Sequence, residues 1–230
     1  MTPLPENTPD TRRRKWSEPL AWIIWLLPLF YLLYVYPSLP EVVPMHFDGN
    51  GKPNGFGTRQ THLYVMLGLW VFNIAMYLLL RNISRLDPKS TVGSGKRVFN
   101  NLALAILLFL SILHVVIVYA TVAGEFMIDR LLFALIGALF SYLGWIMRDI
   151  EPNYFVGIRT PWTLEDPENW RATHRFGARW FLWGGIAIIL LSLVLPRPAM
   201  IYASISVLLL VAFVPIGFSY RYFARKKAGL

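Results

Sequence analysis

The apolar residues of this chain come in long blocks and not at the alternating spacing of a soluble helix or strand. A helix needs roughly 20 consecutive, mostly apolar residues to cross the core of a bilayer, with a range of about 17 to 25. Six blocks reach or nearly reach that length: Leu20–Tyr36, His62–Leu80, Phe99–Val122, Leu131–Met147, Trp180–Pro196 and Pro198–Tyr220. The pattern predicts an all-α membrane protein of six transmembrane helices, with no room for a large soluble domain.

The polar stretches between the blocks divide the chain into segments. We expect a basic tail at residues 1–19, disordered as far as about Trp16. The other predicted segments are residues 20–80, a first helical pair with a small ordered outer loop at 37–61; residues 81–148, helices three and four; residues 149–179, a polar loop and short helix; and residues 180–230, the last two helices and a basic tail.

The basic residues predict which way the chain crosses the membrane. The chain is 56% hydrophobic and only 15% charged, with a formal net charge of +9. Short cytoplasmic loops carry an excess of lysine and arginine. If the N-terminus is cytoplasmic, only four of the 22 basic residues lie outside: Lys52, Arg59, Arg130 and Arg197. We therefore predict both termini inside, with the basic excess facing anionic membrane lipids and no direct nucleic-acid partner.

Several classes of function are disfavoured by what the sequence lacks. It has no cysteine, which excludes disulfides, thiolate metal sites and cysteine catalysis. The six blocks hold no Asp, Glu, Lys or Arg, the groups that ion-coupled transporters usually carry at mid-membrane. No HExxH, GxSxG or Walker pattern occurs. We therefore predict no enzymatic activity, no cofactor and no bound metal. His114, within the third block, either has a function or bonds a neighbouring helix.

The first loop, at residues 37–61, has strong turn signals and one pair of polar residues of interest. Pro44–Asp48 reads as a short strand that leads into a tight turn. His46 and Asp48 lie two residues apart, so they share one side of that strand. They either contact an external ligand or serve the turn through hydrogen bonds. A metal site needs three or four ligands, and only His62 offers another nearby.

The longest polar segment between apolar blocks runs from Asn153 to Arg179. Its first part is short, aromatic and partly β-branched, and Pro161 keeps Thr160 out of the helical region. Asp166 then serves as a helix N-cap, followed by Pro167 at the first helical position. We expect this helix to continue past Gly177 into the fifth apolar block.

Two faces of that helix carry distinctive residues. Trp170, His174 and Gly177 share one face, and Arg171, Arg175 and Arg179 share the adjacent face. Because three arginines in a row repel one another by a few tenths of a kcal/mol per pair, the pattern indicates an anionic partner. That partner is either the phosphate of membrane lipid or an acidic protein segment.

Two sequence motifs carry a resemblance to a known family. The strings NYFVGIRTPWTL and NWRATHRFGAR closely resemble the signature of the SdpI family of bacterial membrane proteins. The string LPEVVPMHFDGNGKPNGFGTR resembles a module of unknown function that often forms the N-terminal half of such proteins. The matching residues of the inner motif are Asn153, Gly157, Arg159, Thr160, Pro161, Trp162, Trp170, Thr173, His174 and Arg175. Those of the outer motif are Pro44, His46, Phe47, Gly51, Pro53 and Gly55.

The resemblance implies a multi-pass protein of the bacterial cytoplasmic membrane that gives immunity to a secreted peptide toxin. It also implies a relay, in which the protein holds a cytoplasmic transcriptional repressor when toxin is present. We expect the partner to contact Arg159, Thr160, Pro161, Trp162, Trp170, Arg171, His174 and Arg175. We expect the toxin or another external ligand to contact Pro44, His46, Phe47, Asp48, Gly51 and Gly55.

Two alternatives belong to other classes. The first is a small transporter or a lipid- or peptide-handling membrane protein without a regulatory partner. The second is a membrane enzyme built on His46, Asp48 and His174, and it is the weakest because the predicted topology puts His174 on the opposite side from the other two residues.

Overall fold

The computed structural model describes residues 11–48, 52–85, 94–123 and 129–229. Its helices are α1 (Thr11–Val35), α2 (Arg59–Asn82), α3 (Ser94–Ala123), α4 (Asp129–Met147), α5 (Pro161–Glu165), α6 (Pro167–Val194) and α7 (Arg197–Lys227). All except the short α5 are long and apolar enough to cross a membrane, which makes six candidate spans among the described residues. The predicted all-α membrane class is confirmed. The direction in which the helices cross stays a prediction.

The first half of the molecule comprises α1, α2, α3 and the loop between α1 and α2. Both α1 and α2 pack on α3. Trp25 and Trp70 fix α1 against α2, since each indole N–H donates to the backbone oxygen of the other residue, at 3.1 and 2.8 Å, and the rings stack 4.0 Å apart. This exchange satisfies two polar groups that would be costly to leave unpaired in lipid.

The loop between α1 and α2 folds as a β-hairpin, in which the predicted strand and turn are followed by a second strand that was not predicted. Strands β1 (Val42–Phe47) and β2 (Pro53–Thr58) pair antiparallel. The Lys52 N–H donates to a carboxylate oxygen of Asp48 at 2.8 Å across the turn. Val43 is buried with residues of α1, α2 and α3, so the hairpin is anchored on the helices. We call this end of the molecule the hairpin end.

The second half comprises α4, α5, α6 and α7, with α6 packed between α4 and α7. Glycines allow α4 and α6 to approach closely. A Cβ at Gly137 would lie 2.6 Å from the Gly185 oxygen, and one at Gly144 would lie 2.7 Å from the Ala178 oxygen. The two halves meet along α3 and α4, and Val98 of α3 joins the core under residues 148–166, which we call the α4–α6 loop.

The first helix is longer than its apolar block, because it begins at Thr11. The expected disorder as far as about Trp16 is therefore wrong for residues 11–16. Arginine and lysine have good helix propensity, so the basic run of residues 12–15 can extend a helix that the membrane already stabilises.

Candidate functional site

The α4–α6 loop lies at the end of the molecule opposite the hairpin. Hydrogen bonds from the side chain of Asn153 hold its first part. The Asn153 amide donates to the backbone oxygens of Glu151 and Val156, both at 2.9 Å. Its carbonyl accepts from the N–H groups of Phe155 and Val156, at 2.9 and 2.7 Å. One buried side chain thus satisfies four backbone groups, which fixes residues 151–156, a part of the loop without helix or strand.

Next along the loop, His174 of α6 holds the backbone beside Gly157. The Ile158 N–H donates to His174 Nε2 at 3.0 Å, and His174 Nδ1 bonds the Trp170 oxygen at 2.8 Å. Since the first partner is a donor and the second an acceptor, these contacts assign a neutral ring with the proton on Nδ1. Gly157 has φ +117°, and a Cβ there would lie 2.3 Å from His174 Nε2. Only glycine fits this close approach.

Trp170 lies directly under the same loop and is fully buried. Its indole N–H donates to the Ile150 oxygen at 2.9 Å, and its ring stacks on His174 at 4.1 Å. The helix face of Trp170, His174 and Gly177 that the sequence singled out therefore faces the loop and not solvent.

The short helix α5 follows and was not predicted. Thr160 is its N-cap, with Pro161 at the first helical position, and Thr160 and Thr163 form a capping box. The Thr160 N–H donates to Thr163 Oγ1 at 2.9 Å. The Thr-Pro sequence followed by a second threonine was the available signal, because these are N-cap and first-turn residues.

Ser219 of α7 ties the loop and α6 together, and sequence reasoning missed it. The Trp162 indole N–H donates to Ser219 Oγ at 2.7 Å, and the Asn169 amide donates to the Ser219 oxygen at 3.1 Å. Thr173 Oγ1 in turn donates to Asn169 Oδ1 at 2.9 Å. No local pattern marks Ser219, since it is one of three serines in an apolar helix and its role arises only when α7 packs on α6.

Helix α6 begins as predicted, with Asp166 as N-cap and Pro167 first in the helix. Asp166 accepts from the Glu168 N–H at 2.9 Å. Lys226, at the end of α7, donates to the carboxylates of Asp166 and Glu168 at 2.9 and 2.7 Å. The hydrogen bond from Lys226 lowers the pKa of Asp166 below its ordinary value of 3.8, helped by the backbone N–H groups at the helix start.

The predicted partner-binding residues divide by exposure. Arg159, Pro161, Arg171 and Arg175 are exposed, Trp162 is half-buried, and Thr160, Trp170 and His174 are buried. Arg159 donates to the Tyr154 oxygen at 2.5 Å. The motif therefore combines a buried framework, which shapes the loop, with an exposed basic surface.

A cleft opens where α4 ends beside α6, and its volume is about 390 Å³. Arg148, Asp149, Arg175 and Arg179 line it. Arg148 and Asp149 follow the last turn of α4, whereas Arg175 and Arg179 lie one turn apart on α6. Three guanidinium groups and one carboxylate thus surround a single opening.

At the hairpin end, the predicted ligand-binding residues lie on and near the two strands. His46 is exposed, Pro44, Phe47, Asp48 and Gly55 are half-buried, and Gly51 lies outside the described residues. His46 Nδ1 bonds Asn54 Oδ1 at 2.5 Å, so part of its hydrogen-bonding capacity is used within the hairpin. Across the described ranges, no group of three or more His, Asp or Glu residues is arranged to hold a metal.

Between α2 and α3 the structure buries polar groups inside the first half. The Asn73 amide donates to Ser111 Oγ at 3.0 Å and to the Leu107 oxygen at 3.4 Å. Within the described chain, Asn73 Oδ1 and the Nε2 atoms of His62 and His114 have no hydrogen-bond partner. One of the two alternatives for His114 was that its ring bonds a neighbouring helix. Among the described residues, no such bond is made at Nε2.

These features define the chain as a multi-pass membrane protein with a β-hairpin at one end and, at the other, the α4–α6 loop held by side chains of α6 and α7. Residues 149–219 match the model of the SdpI/YfhL protein family, and residues 23–71 match a domain of unknown function, DUF1648. The chain is thus similar to the SdpI/YfhL family along residues 149–219, and it is a multi-pass bacterial membrane protein. The family resemblance of both motifs is confirmed.

Two relatives show the extent of the similarity. Immunity protein SdpI of Bacillus subtilis is 27% identical over 176 residues, covering 75% of this chain and 80% of that protein. An uncharacterized protein of Archaeoglobus fulgidus is 40% identical over 58 residues, covering 25% of this chain and 28% of that protein. No solved structure matches the chain.

Proposed function

We propose that this protein gives immunity to a secreted peptide toxin and relays the toxin's presence to a cytoplasmic regulator, without enzymatic activity. The observation that carries the proposal is the similarity to an immunity protein along 80% of that protein's length. The matched region includes the α4–α6 loop, whose framework is buried and whose arginines are exposed. Such a loop is a preformed surface, which binds a partner without first having to be ordered.

The regulator would dock on the exposed basic part of the motif. Arg159, Arg171 and Arg175 present positive charge there, and Pro161 is exposed as well. Rows of arginines attract acidic segments and steer their approach. The buried residues Thr160, Trp170 and His174 would contribute by holding the loop in shape. Trp162 is intermediate in exposure between these residues and the exposed arginines.

The toxin would contact the hairpin end. His46 and the large apolar side chain of Phe56 are exposed there, on neighbouring strands. Exposed apolar surface beside a polar group suits an amphipathic peptide. Pro44, Phe47, Asp48, Gly51 and Gly55 complete the proposed contact region.

Survival under toxin tests immunity directly. The chain would be expressed in a Bacillus subtilis strain that lacks immunity protein SdpI and is grown beside a toxin-producing strain. We expect survival above that of cells with an empty vector, and a reduction when His46 and Asp48 are both replaced by alanine. If the chain is present in the membrane and cells with it are killed as readily as cells with the empty vector, the result would count against immunity to this toxin.

Partner capture tests the relay. In the same cells, the toxin-exposed protein would be purified from membranes, and co-purified transcriptional regulators would be identified by mass spectrometry. Arg171→Glu reverses one exposed charge on the proposed docking surface, and Arg221→Glu makes the same change on α7 as its matched control. We expect capture to fall only with Arg171→Glu. Equal capture by both variants would remove the docking surface from the proposal.

One observation favours the transporter alternative, namely that His62, Asn73 and His114 carry buried polar atoms with no partner in the described ranges. Polar groups inside a membrane often mark a path for a substrate. The variant His114→Ala separates the alternatives: a transporter should lose protection although the protein still inserts, whereas a binding and relay protein should keep it.

A further inference from the structure

The cleft between α4 and α6 has fixed walls. A Cβ at Gly144 would lie 2.4 Å from the Leu182 N atom and 2.7 Å from the Ala178 oxygen, so the two backbones are in direct contact one turn from the cleft. This contact sets the distance between Arg148, which follows α4, and Arg179, which lies on α6. The arginines therefore converge because of helix packing and not through side-chain flexibility alone.

Within the part of the chain that the structure describes, no ion pair balances the charges around the cleft. Arg148, Arg175 and Arg179 line it together with one carboxylate, that of Asp149. Among the residues that the structure describes, none of these four makes an ion pair. Like charges that face one another are unfavourable. An anion bound between the arginines would remove this repulsion, and the planar guanidinium group matches phosphate oxygens in pairs.

The depth of the cleft matches the phosphate layer of a membrane. Helix α4 has 19 residues, which at a rise of 1.5 Å each makes it about 28 Å long. The hydrocarbon core of a bilayer is about 30 Å thick. If α4 spans that core, Arg148, directly after its last residue, lies at the level of the headgroups.

An apolar surface continues from the cleft toward the middle of the membrane. Trp145 lies three residues before Arg148 on α4, and Trp183 lies four residues after Arg179 on α6, so each is about one turn deeper on the same side of its helix. Both are exposed, at 58% and 65%. A soluble anion would use only the arginines, whereas a phospholipid would also lay its acyl chains against the tryptophans. This continuity favours lipid.

We propose that the α4–α6 cleft is a specific binding site for one anionic phospholipid, with its phosphate held by Arg148, Arg175 and Arg179 and its acyl chains against Trp145 and Trp183. The bound lipid would occupy the leaflet on the side of the α4–α6 loop. The site adjoins the proposed docking surface through Arg175, but it does not depend on toxin immunity.

Native mass spectrometry of the full-length protein tests the proposal. The detergent-purified protein would be titrated with phosphatidylglycerol and, separately, with phosphatidylcholine carrying the same acyl chains. Arg148→Gln/Arg179→Gln removes two cleft charges. Arg221→Gln/Arg225→Gln removes two exposed arginines that lie one turn apart on α7, at the same end of the molecule. We expect one tightly bound phosphatidylglycerol in the native protein, weakened about tenfold by the cleft variant because charge-assisted contacts are lost, and little changed by the control.

Three results would overturn the site. Equal weakening by both double variants would mean general attraction to charge. Equal binding of phosphatidylcholine would mean that the headgroup charge is not recognised. Displacement of the lipid by millimolar inorganic phosphate would mean a site for soluble anions.

A second variant covers misfolding of the first. Arg148→Lys/Arg179→Lys keeps the charge but loses the paired guanidinium donors. We expect it to bind phosphatidylglycerol about threefold more weakly than the native protein. Unchanged affinity would contradict the guanidinium–phosphate contacts.

Discussion

Two buried histidines on opposite sides of the fold have opposite surroundings. His174 is held at both ring nitrogens, by the Ile158 N–H and the Trp170 oxygen. His114, between helices of the first half, has Nε2 buried without a partner among the described residues. The first is part of a framework in which the polar groups described above match one another. The second lies in a region where Asn73 and His62 also carry unmatched atoms.

The difference separates residues whose buried hydrogen bonds stabilise the fold from residues whose buried polar atoms do not. Removing one partner of a buried hydrogen bond costs about 1–3 kcal/mol, because the other partner stays buried and unpaired. Replacing a buried polar group that has no partner removes a cost instead. Substitutions should therefore destabilise the α4–α6 loop and spare the interior of the first half.

The largest effect is expected at Gly157. Gly157→Ala puts a side chain at φ +117° and against His174, so we expect a loss of about 3 kcal/mol in the free energy of unfolding from backbone strain and overpacking. Unfolding in mixed micelles, followed by circular dichroism, measures it. Gly217→Ala is the matched control, since a Cβ there meets nothing within 4 Å and alanine favours a helix. If Gly157→Ala lowers the free energy of unfolding no more than Gly217→Ala does, the contrast between the α4–α6 loop and the rest of the molecule would not hold.

The next effect is at His174. His174→Leu fills a similar volume but leaves the Ile158 N–H without its acceptor, so the free energy of unfolding should fall by about 2 kcal/mol. Hydrogen exchange of the α4–α6 loop amides should rise in the same variant, because the loop loses its attachment to α6. Unchanged exchange at Ile158 would show that the ring does not hold the loop.

A smaller effect is expected from acid at the start of α6. The pKa of Asp166 is lowered in the folded protein by the hydrogen bond from Lys226. Its contribution to stability is therefore complete above the ordinary value of 3.8 and is lost as pH falls through the lowered folded pKa. Asp166→Asn keeps the helix cap but has no carboxylate to titrate. The free energies of unfolding of the two proteins, measured as a function of pH, should therefore converge as pH falls. A difference that persists at the lowest pH would contradict the ion pair as its source.

The smallest effect is expected at His114. His114→Leu replaces a ring whose Nε2 has no partner in the described part of the chain, so the free energy of unfolding should stay within about 0.5 kcal/mol or rise. The measurement is the one used for His174→Leu, and the two variants form a matched pair. A loss at His114 as large as that at His174 would erase the distinction between the two regions.

Much of the candidate site could be read from the sequence because its residues act locally. Asp166 and Pro167 start a helix through chain neighbours, and the first hairpin strand and the turn after it follow from proline and glycine signals. The roles of Trp170 and His174 could not be read in this way. Their spacing put them on one helix face, but whether that face meets solvent or a folded loop depends on chain that lies up to 20 residues away.

The sequence by itself determined the membrane class, the number of candidate membrane-spanning helices and the two motifs that resemble the SdpI/YfhL family. Apolar block length, local turn and cap chemistry and motif residues need no tertiary contacts. Only the tertiary structure decided which motif residues are buried and that Ser219 fastens α7 to the loop. It also decided that Arg148 joins Arg175 and Arg179 around one cleft. The physical reason is that burial and charge convergence depend on how α4, α6 and α7 pack, and a one-dimensional pattern does not contain that packing.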